Sequence, residues 1–263
     1  MLLRANLALL HGAVRRLTGR SGARLGRTNA LHKRLSCFTE LDESDLAHLD
    51  RLCEDVRTVK VGEDLIGERE KPEEVFIQLE GWACRYKILP DGNRQITGYL
   101  LPGDMCDVFG FILEHMDHGI GALSDITYAA VSKQKIIDIF DSHPRIAKAL
   151  WWSTLVDESI LRQWLTNMGQ RFAYERMAHI FCELWLRMKV VGLAADDEFH
   201  LPLTQNQLGD TIGLTPVHVN RTLQRMRNEG LVELDNKRLK ICDIEKLKEI
   251  AQFNSEYLHM KRC

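Results

Sequence analysis

The side chains with the clearest chemistry lie in one polar run near the C-terminus, in the segment LTQNQLGDTIGLTPVHVNRTLQRMRNEG at 203–230. Arginine can form two hydrogen bonds with a guanine edge, asparagine can pair with adenine, and an apolar side chain can contact a thymine methyl. Arg221, Asn220 and Val217 supply these groups within five positions. The chemistry that they predict is recognition of base edges in the major groove of DNA.

Two short helices joined by a tight turn are predicted to position these side chains. Thr204 begins the first helix as an N-cap, and Gln207 three places later completes a capping box. Gly213 supplies the small residue that can adopt the left-handed conformation of the turn. Thr215 caps the second helix, with Pro216 in its first position. This order of signals predicts a helix-turn-helix.

The second helix is predicted to have an inner and an outer face. Val219, Leu223 and Met226 share one face and would pack on the first helix. The segments 231–234 and 238–241 flank a turn and predict a β-hairpin wing, and Arg227, like Arg225, is predicted to contact phosphate. A surface helix pair without DNA contact is the alternative, and the split faces and the wing argue against it. The candidate DNA-binding residues are Thr204, Thr215, Val217, His218, Asn220, Arg221, Gln224 and Arg225.

A β-rich domain is predicted ahead of these helices, after a helix over 37–52. Between Val56 and Phe140, short runs of β-branched and aromatic residues alternate with turn formers such as Pro90-Asp91-Gly92. Many short strands at close spacing indicate a jelly roll or a small barrel. The predicted strands are 56–61, 74–79, 82–89, 95–100, 120–123, 127–131 and 136–140.

A long helix with two apolar stripes is predicted from Ser142 to Met168, and Asn167-Met168-Gly169 is predicted to end it at a hinge. Both stripes must be buried, one on the barrel and the other on a second copy of the chain. An ordinary core helix is the alternative, and Asp157 weakens the proposed dimer seam. The predicted dimerisation residues are Ile146, Leu150, Ser153, Ile160 and Trp164, and the second stripe is Trp151, Leu155, Leu161 and Leu165.

Composition places the chain among cytoplasmic globular proteins. It has 263 residues and 45% hydrophobic residues, which is enough for two domains, and no apolar run long enough for a membrane span. Its seven cysteines are scattered and predict reduced thiols. Residues 1–36 hold eight basic and no acidic side chains, which leaves 35 − 8 = 27 basic against 37 acidic beyond them, a net charge of −10. DNA binding therefore requires a locally basic face.

The first thirty residues predict a disordered basic extension, with a transit peptide or a misplaced start codon as alternatives. No nucleophile elbow, phosphate loop or HExxH motif is present, so we do not expect an enzyme. A ligand-binding module that acts on a protein partner is the alternative function. Glu114, His115, Asp117 and His118 with Cys106 could bind a metal ion and Cys182 could sense redox state, but exposed loop residues and inert packing are favoured.

On the basis of these motifs, the chain resembles the Crp/Fnr family of transcription regulators over roughly residues 35–255. The resemblance includes Pro102-Gly103-Asp104, the helix AYERMAHIFCELWLRM at 173–188, and the helix-turn-helix with its wing. It implies an α+β fold with an N-terminal cyclic-nucleotide-binding-like jelly roll at 31–141, a dimerisation helix at 142–168, a winged helix-turn-helix at 169–245 and a C-terminal helix at 246–263. It also implies a homodimer on palindromic double-stranded DNA, in contact with RNA polymerase and not with a membrane.

The same resemblance also shows where this chain departs from the family pattern. Arg221 matches the arginine that the family uses on a guanine, but Val217 replaces the usual glutamate. No arginine lies between Arg94 and Arg145, where members that bind cyclic AMP carry one for the phosphate. Only Cys37 and Cys53 lie in the N-terminal region, where iron–sulfur members have a tight cluster. Cyclic AMP and an iron–sulfur cluster are both disfavoured, and the effector is left unknown.

Overall fold

The computed structural model describes residues 28–260, so nearly all of the predicted N-terminal extension lies outside the described residues. Two helices, α1 (Asn29–Ser36) and α2 (Glu43–Leu52), precede the β-domain. The single helix predicted over 37–52 is wrong, because Asp42 begins a new helix. Its carboxylate accepts a hydrogen bond from the Asp45 amide at 3.0 Å, and the Asp45 carboxylate accepts one in return from the Asp42 amide.

The β-domain is a jelly roll of two antiparallel four-stranded sheets, which confirms the predicted fold class. One sheet has the strand order β1-β8-β3-β6 and the other β2-β7-β4-β5. Alternating side chains of the facing sheets, such as Phe76 and Ile120, are buried between them. The strands are β1 (Val56–Val59), β2 (Asp64–Ile66), β3 (Glu74–Glu80), β4 (Ala83–Ile88), β5 (Arg94–Leu100), β6 (Met105–Cys106), β7 (Gly119–Ala122) and β8 (Ile126–Ser132).

The strand predicted over 136–140 is wrong, because these residues lie in helix α3 (Lys133–Ser142). Ile136 and Ile139 are both fully buried, and their spacing of three places them on the same helical face. A run of β-branched residues favours a strand when it is read alone. Here burial of one helical face on the barrel overrides that preference.

The long helix α4 (Pro144–Gln170) has 27 residues and passes through the hinge predicted at 167–169. The chain leaves helical geometry at Arg171, and α5 (Ala173–Val190) follows. Helix α4 continues past Asn167 because this side chain is buried and its Nδ2 lies 2.9 Å from Nδ1 of His179 on α5. No helix between residues 28 and 260 is long and apolar enough to cross a membrane.

The C-terminal domain pairs the predicted helix-turn-helix with a small sheet. The helices are α6 (Gln205–Ile212) and α7 (Pro216–Asn228). Strands β10 (Val232–Asp235) and β11 (Arg238–Ile241) form the wing, and β9 (Glu198–His200) pairs with β11. Helix α8 (Ile244–Ala251) and a short 3-10 turn at Ser255–Leu258 end the described chain in place of one long C-terminal helix.

A buried ionic cluster joins the two domains. Arg187 on α5 contacts Asp104 of the barrel at 2.7 Å and Glu183 at 3.3 Å. Asp104 also lies 3.3 Å from Arg34 on α1, and Glu183 accepts a hydrogen bond from Tyr257 at 2.7 Å. Glu183 is fully buried and Arg187 nearly so. The turn at Pro102-Gly103-Asp104 therefore anchors the DNA-binding half to the barrel.

Candidate nucleic-acid interface

The turn between α6 and α7 has the local geometry that its residues predict. The Thr204 hydroxyl accepts a hydrogen bond from the Gln207 amide at 3.2 Å, and the Gln207 side chain accepts one from the Thr204 amide at 2.8 Å. Thr215 caps α7 by accepting from the His218 amide at 3.4 Å. Gly213 has φ +68° and lies so close to Met168 of α4 that a Cβ would stand 2.6 Å from its methyl carbon.

Helix α7 has the two faces that the sequence predicts. Val219, Leu223 and Met226 are 1% exposed or less and pack inward. Val217 is 61% exposed, and Arg221 extends from the same outer surface. Within residues 28–260, Arg221 has no ion-pair or hydrogen-bond partner for its guanidinium group. His218, Gln224 and Arg225 are also exposed, whereas Asn220 is half-buried.

Three of the polar side chains on α7 are already engaged within the domain. Asn220 Nδ2 donates to the Gln205 side chain on α6 at 3.4 Å. Arg225 donates to Glu229 at 2.7 Å, and its guanidinium lies 4.0 Å from the ring centroid of Tyr174. Arg227 donates to the main-chain oxygen of Leu234 at 3.0 Å, so it ties α7 to the wing. The sequence pattern predicted a phosphate contact for Arg227 and did not predict this link.

The wing projects beside α7 as a two-residue hairpin. Asn236 and Lys237 both have positive φ, at 45° and 60°, as a type I′ turn requires. Strands β10 and β11 pair from Val232 with Ile241 to Asp235 with Arg238. Lys237 and Arg238 are exposed, which adds positive charge next to the outer face of α7. Helix, caps and wing together form one surface suited to a DNA duplex.

The predicted dimerisation seam is wrong, because its side chains are buried within a single chain. Asp157 lies on the same face of α4, and its carboxylate contacts Arg85 of the barrel at 3.0 Å. That face therefore packs on the chain's own β-domain. The buried residues are Ile146 (0% exposed), Leu150 (0%), Ser153 (6%), Ile160 (5%) and Trp164 (5%). The second stripe is the exposed one: Trp151 (58%), Leu155 (47%), Leu161 (53%) and Leu165 (72%).

A cavity of about 680 Å³ lies between the barrel and α4. Its apolar wall includes Met105, Val108 and Phe109, and its size is in the range of small-molecule sites. Arg85 crosses it, with Nη2 3.0 Å from Asp157 and Nε 3.3 Å from Asp107. Burial opposes ionisation of Asp107, but the charge of Arg85 and a hydrogen bond from His118 outweigh it and lower its pKa to about 2.

Comparisons with known proteins identify both halves of the chain. A model of the Crp-like helix-turn-helix domain matches residues 175–250, and one of the cyclic nucleotide-binding domain matches residues 56–143. FnrL of Cereibacter sphaeroides, a transcriptional activator, is 25% identical over 82% of this chain and 87% of its own length. The nitrogen fixation regulator FixK of Bradyrhizobium diazoefficiens is 25% identical over 81% and 88%.

Solved structures agree with this match. FixK2 from Bradyrhizobium japonicum has a TM-score of 0.66 and 26% identity, and the match covers 74% of this chain and 96% of that one. The chain combines the two domains of the Crp/Fnr family. It is a DNA-binding transcription regulator of that type, as predicted. The fold alone is shared with a CooA variant from Carboxydothermus hydrogenoformans, at a TM-score of 0.61 and 18% identity over 74% of this chain and 87% of that one.

The cations that line the cavity are each paired with a carboxylate. A phosphate ester needs cations that are free to bind it. Arg85 is held by Asp107 and Asp157, and His118 lies 2.6 Å from Asp117. The remaining cations are paired in the same way, Arg187 with Asp104 and Lys87 with Glu68. An anion in the cavity would therefore meet carboxylates, and cations whose charge is already neutralised by those carboxylates.

Within the described residues, the cysteines and the acidic loop do not converge on a metal site. Between residues 28 and 260 no group of three or more potential ligands is assembled. Cys106 is buried in the barrel, and burial raises the pKa of its thiol. Cys182 is fully buried, and burial raises the pKa of its thiol to about 12. Cys37 takes part in a disulfide, so the expectation of seven reduced thiols is wrong there, and Cys263 lies outside the described residues.

The sequence did not predict a role for three residues near the cavity and α6. Arg85 and Tyr99 line the cavity, and the Tyr99 hydroxyl contacts that of Thr211 on α6, 112 residues away in sequence. Arg85 and Tyr99 lie on β-strands, in which successive side chains point to opposite faces and one face is predicted to be buried. That pattern signals burial but does not say which partner each side chain meets. Thr211 lies on the helix-turn-helix and carries no signal of its own.

Proposed function

We propose that this regulator binds a palindromic operator as a homodimer, through the exposed stripe of α4. Trp151, Leu161 and Leu165 of this stripe lie in the series 151, 154, 158, 161, 165 and 168, whose alternate spacing by three and four is that of a two-helix coiled-coil seam. Thr154 and Glu158 are polar members of the series, and Leu155 lies beside it. Trp151, Leu161 and Leu165 are each more than half exposed. Large apolar side chains in such a row favour a partner helix over water. This stripe is the observation that carries the proposal.

A dimer of this kind presents two copies of α7 to one face of a duplex. Recognition helices of such dimers read half-sites about 34 Å apart, one helical turn of DNA. We assign the base contacts to the front of α7, with Arg221 on a guanine, and the phosphate contacts to Thr204, Thr215 and the wing. Contact with RNA polymerase in the cytoplasm then changes transcription, and the chain binds without catalysis.

The cavity between barrel and α4 is the proposed site of the controlling signal. It adjoins the seam, because Thr154, Glu158 and Leu161 both line the cavity and belong to or border the exposed stripe. A ligand there can bias the arrangement of the dimer if it binds one arrangement more tightly. We expect the ligand to be neither cyclic AMP nor another phosphodiester, and we expect no iron–sulfur cluster.

Selection of bound duplexes from a random pool tests the proposal. The purified protein is expected to select an inverted repeat and to sediment as a dimer. Leu161→Glu with Leu165→Glu should give monomers and lose selection of the repeat. Leu193→Glu, which changes a 45% exposed leucine outside α4, is the matched control. Monomers of the wild-type protein, or a double variant that still dimerises, would contradict the proposed interface.

A further inference from the structure

The first helix of the helix-turn-helix is docked on barrel strand β5 by three polar contacts. Arg94 Nη2 lies 2.8 Å from the carboxylate of Asp210. Gln95 Nε2 donates to the main-chain oxygen of Thr211 at 3.3 Å. The hydroxyl groups of Tyr99 and Thr211 form the third contact. Strand β5 thus holds the C-terminal end of α6.

The Tyr99–Thr211 contact has a defined direction. The Thr211 hydroxyl donates to the main-chain oxygen of Gln207 at 2.8 Å, so its single proton is already used. Tyr99 is therefore the donor and Thr211 the acceptor. Both side chains are 2% exposed, and a buried hydrogen bond that loses one partner leaves the other unsatisfied.

Tyr99 is also part of the cavity wall. Its ring packs edge-on against Trp82 and Trp164, with centroids 5.9 Å and 5.4 Å away. Its main-chain oxygen accepts a hydrogen bond from Arg187 at 3.0 Å, and Arg187 lines the cavity as well. The residue that holds α6 is therefore within reach of a molecule in the cavity.

The docked position leaves the DNA-reading surface free. The contacts involve only the end of α6, whereas Arg221 and Val217 on α7 and Thr204 at the start of α6 are exposed. Docking fixes the direction of α7 relative to α4 without covering it. Fixing a binding group in advance removes an entropic penalty from binding.

We propose that the hydrogen bond from Tyr99 to Thr211 couples the cavity to the orientation of the DNA-binding domain. The proposal rests on the palindrome-binding dimer described above. Binding to a full operator requires both recognition helices in a fixed relative orientation, whereas a half-site engages only one. Tyr99 and Thr211 are thus positioning residues that act on full-site affinity.

The affinities of the Thr211→Val and Tyr99→Phe variants for full-site and half-site duplexes test the contact. Each variant should weaken full-site binding about tenfold and change half-site affinity less than about twofold, since only orientation is released. Thr166→Val is the control, because Thr166 on α4 makes the same type of hydrogen bond to the residue four places earlier but is exposed. Equal losses on both duplexes, or no loss, would overturn the coupling. A wild-type protein with no preference for the full site would instead overturn the dimer.

A substitution that adds a side chain to the cavity wall tests whether a change in the cavity reaches the DNA-binding domain through Tyr99. Gly98 lines the cavity, and a Cβ there meets only Arg85, at 3.8 Å, so the Cβ of Gly98→Val fits without a clash and its two methyl groups add bulk at the cavity. We expect Gly98→Val to change full-site affinity severalfold in the wild-type chain and to have no effect in a Thr211→Val chain. Independent effects that multiply in the double variant would overturn the transmission through Tyr99.

Discussion

Removal of the Arg221 side chain gives the sharpest test of the DNA-reading surface. Arg221 is exposed on α7, and no residue in the described part of the chain pairs with it. Arg221→Ala should therefore leave the free energy of unfolding within about 0.5 kcal/mol of the wild type. A bidentate contact with guanine discriminates by about 1–3 kcal/mol, which is about 5- to 150-fold in operator affinity.

Fluorescence anisotropy titrations with the selected operator, and with each single base-pair variant of it, measure this effect. The Arg221→Ala protein should lose its preference at one base pair in each half-site and keep its preference at the others. Arg51→Ala removes the same group from an exposed site on α2 and should change nothing. A uniform loss across all duplexes, including unrelated ones, would show that Arg221 neutralises phosphate, and the assignment to a base would fail.

Three further predictions concern specificity, the buried cluster and acid stability. Val217→Glu places the family's usual glutamate on an exposed position and should shift base preference at one operator position, read by repeated selection, whereas an unchanged motif would refute it. Arg187→Met leaves Glu183 without its cation and Asp104 with Arg34 alone, and it should cost about 3–5 kcal/mol in urea unfolding; a loss under about 1 kcal/mol would contradict this. Burial and then the charge of Arg171 lower the pKa of His179 to about 3. The unfolded chain binds that proton near pH 6.5, so stability should fall as pH decreases below about 7. The fall in melting temperature towards pH 5 should be smaller in His179→Gln, and an equal fall would contradict the assignment.

Local signals were sufficient for the DNA-binding motif. The caps at Thr204 and Thr215 and the left-handed Gly213 depend on hydrogen bonds and backbone angles within a few residues. The inner face of α7 follows from its helical period. These features hold in the structure because the atoms that define them are close in sequence.

Local signals were not sufficient to predict how α4 and α3 pack on the barrel. The sequence determined that α4 has two apolar stripes, but it did not determine which one packs inward. The barrel decided this, since Arg85 binds Asp157 across the interface and buries Ile160 and Trp164 with it. In α3, burial of Ile136 and Ile139 on the barrel likewise overrode a local preference for a strand.

The sequence by itself therefore determined the jelly roll, the long helix and the helix-turn-helix, because each is specified by residue type at short spacing. Only the tertiary structure decided which face of α4 is exposed, how α6 docks on β5, and that Tyr99 joins the cavity to Thr211. The reason is physical: these outcomes depend on contacts between segments more than 60 residues apart, and no local period or propensity encodes the partner.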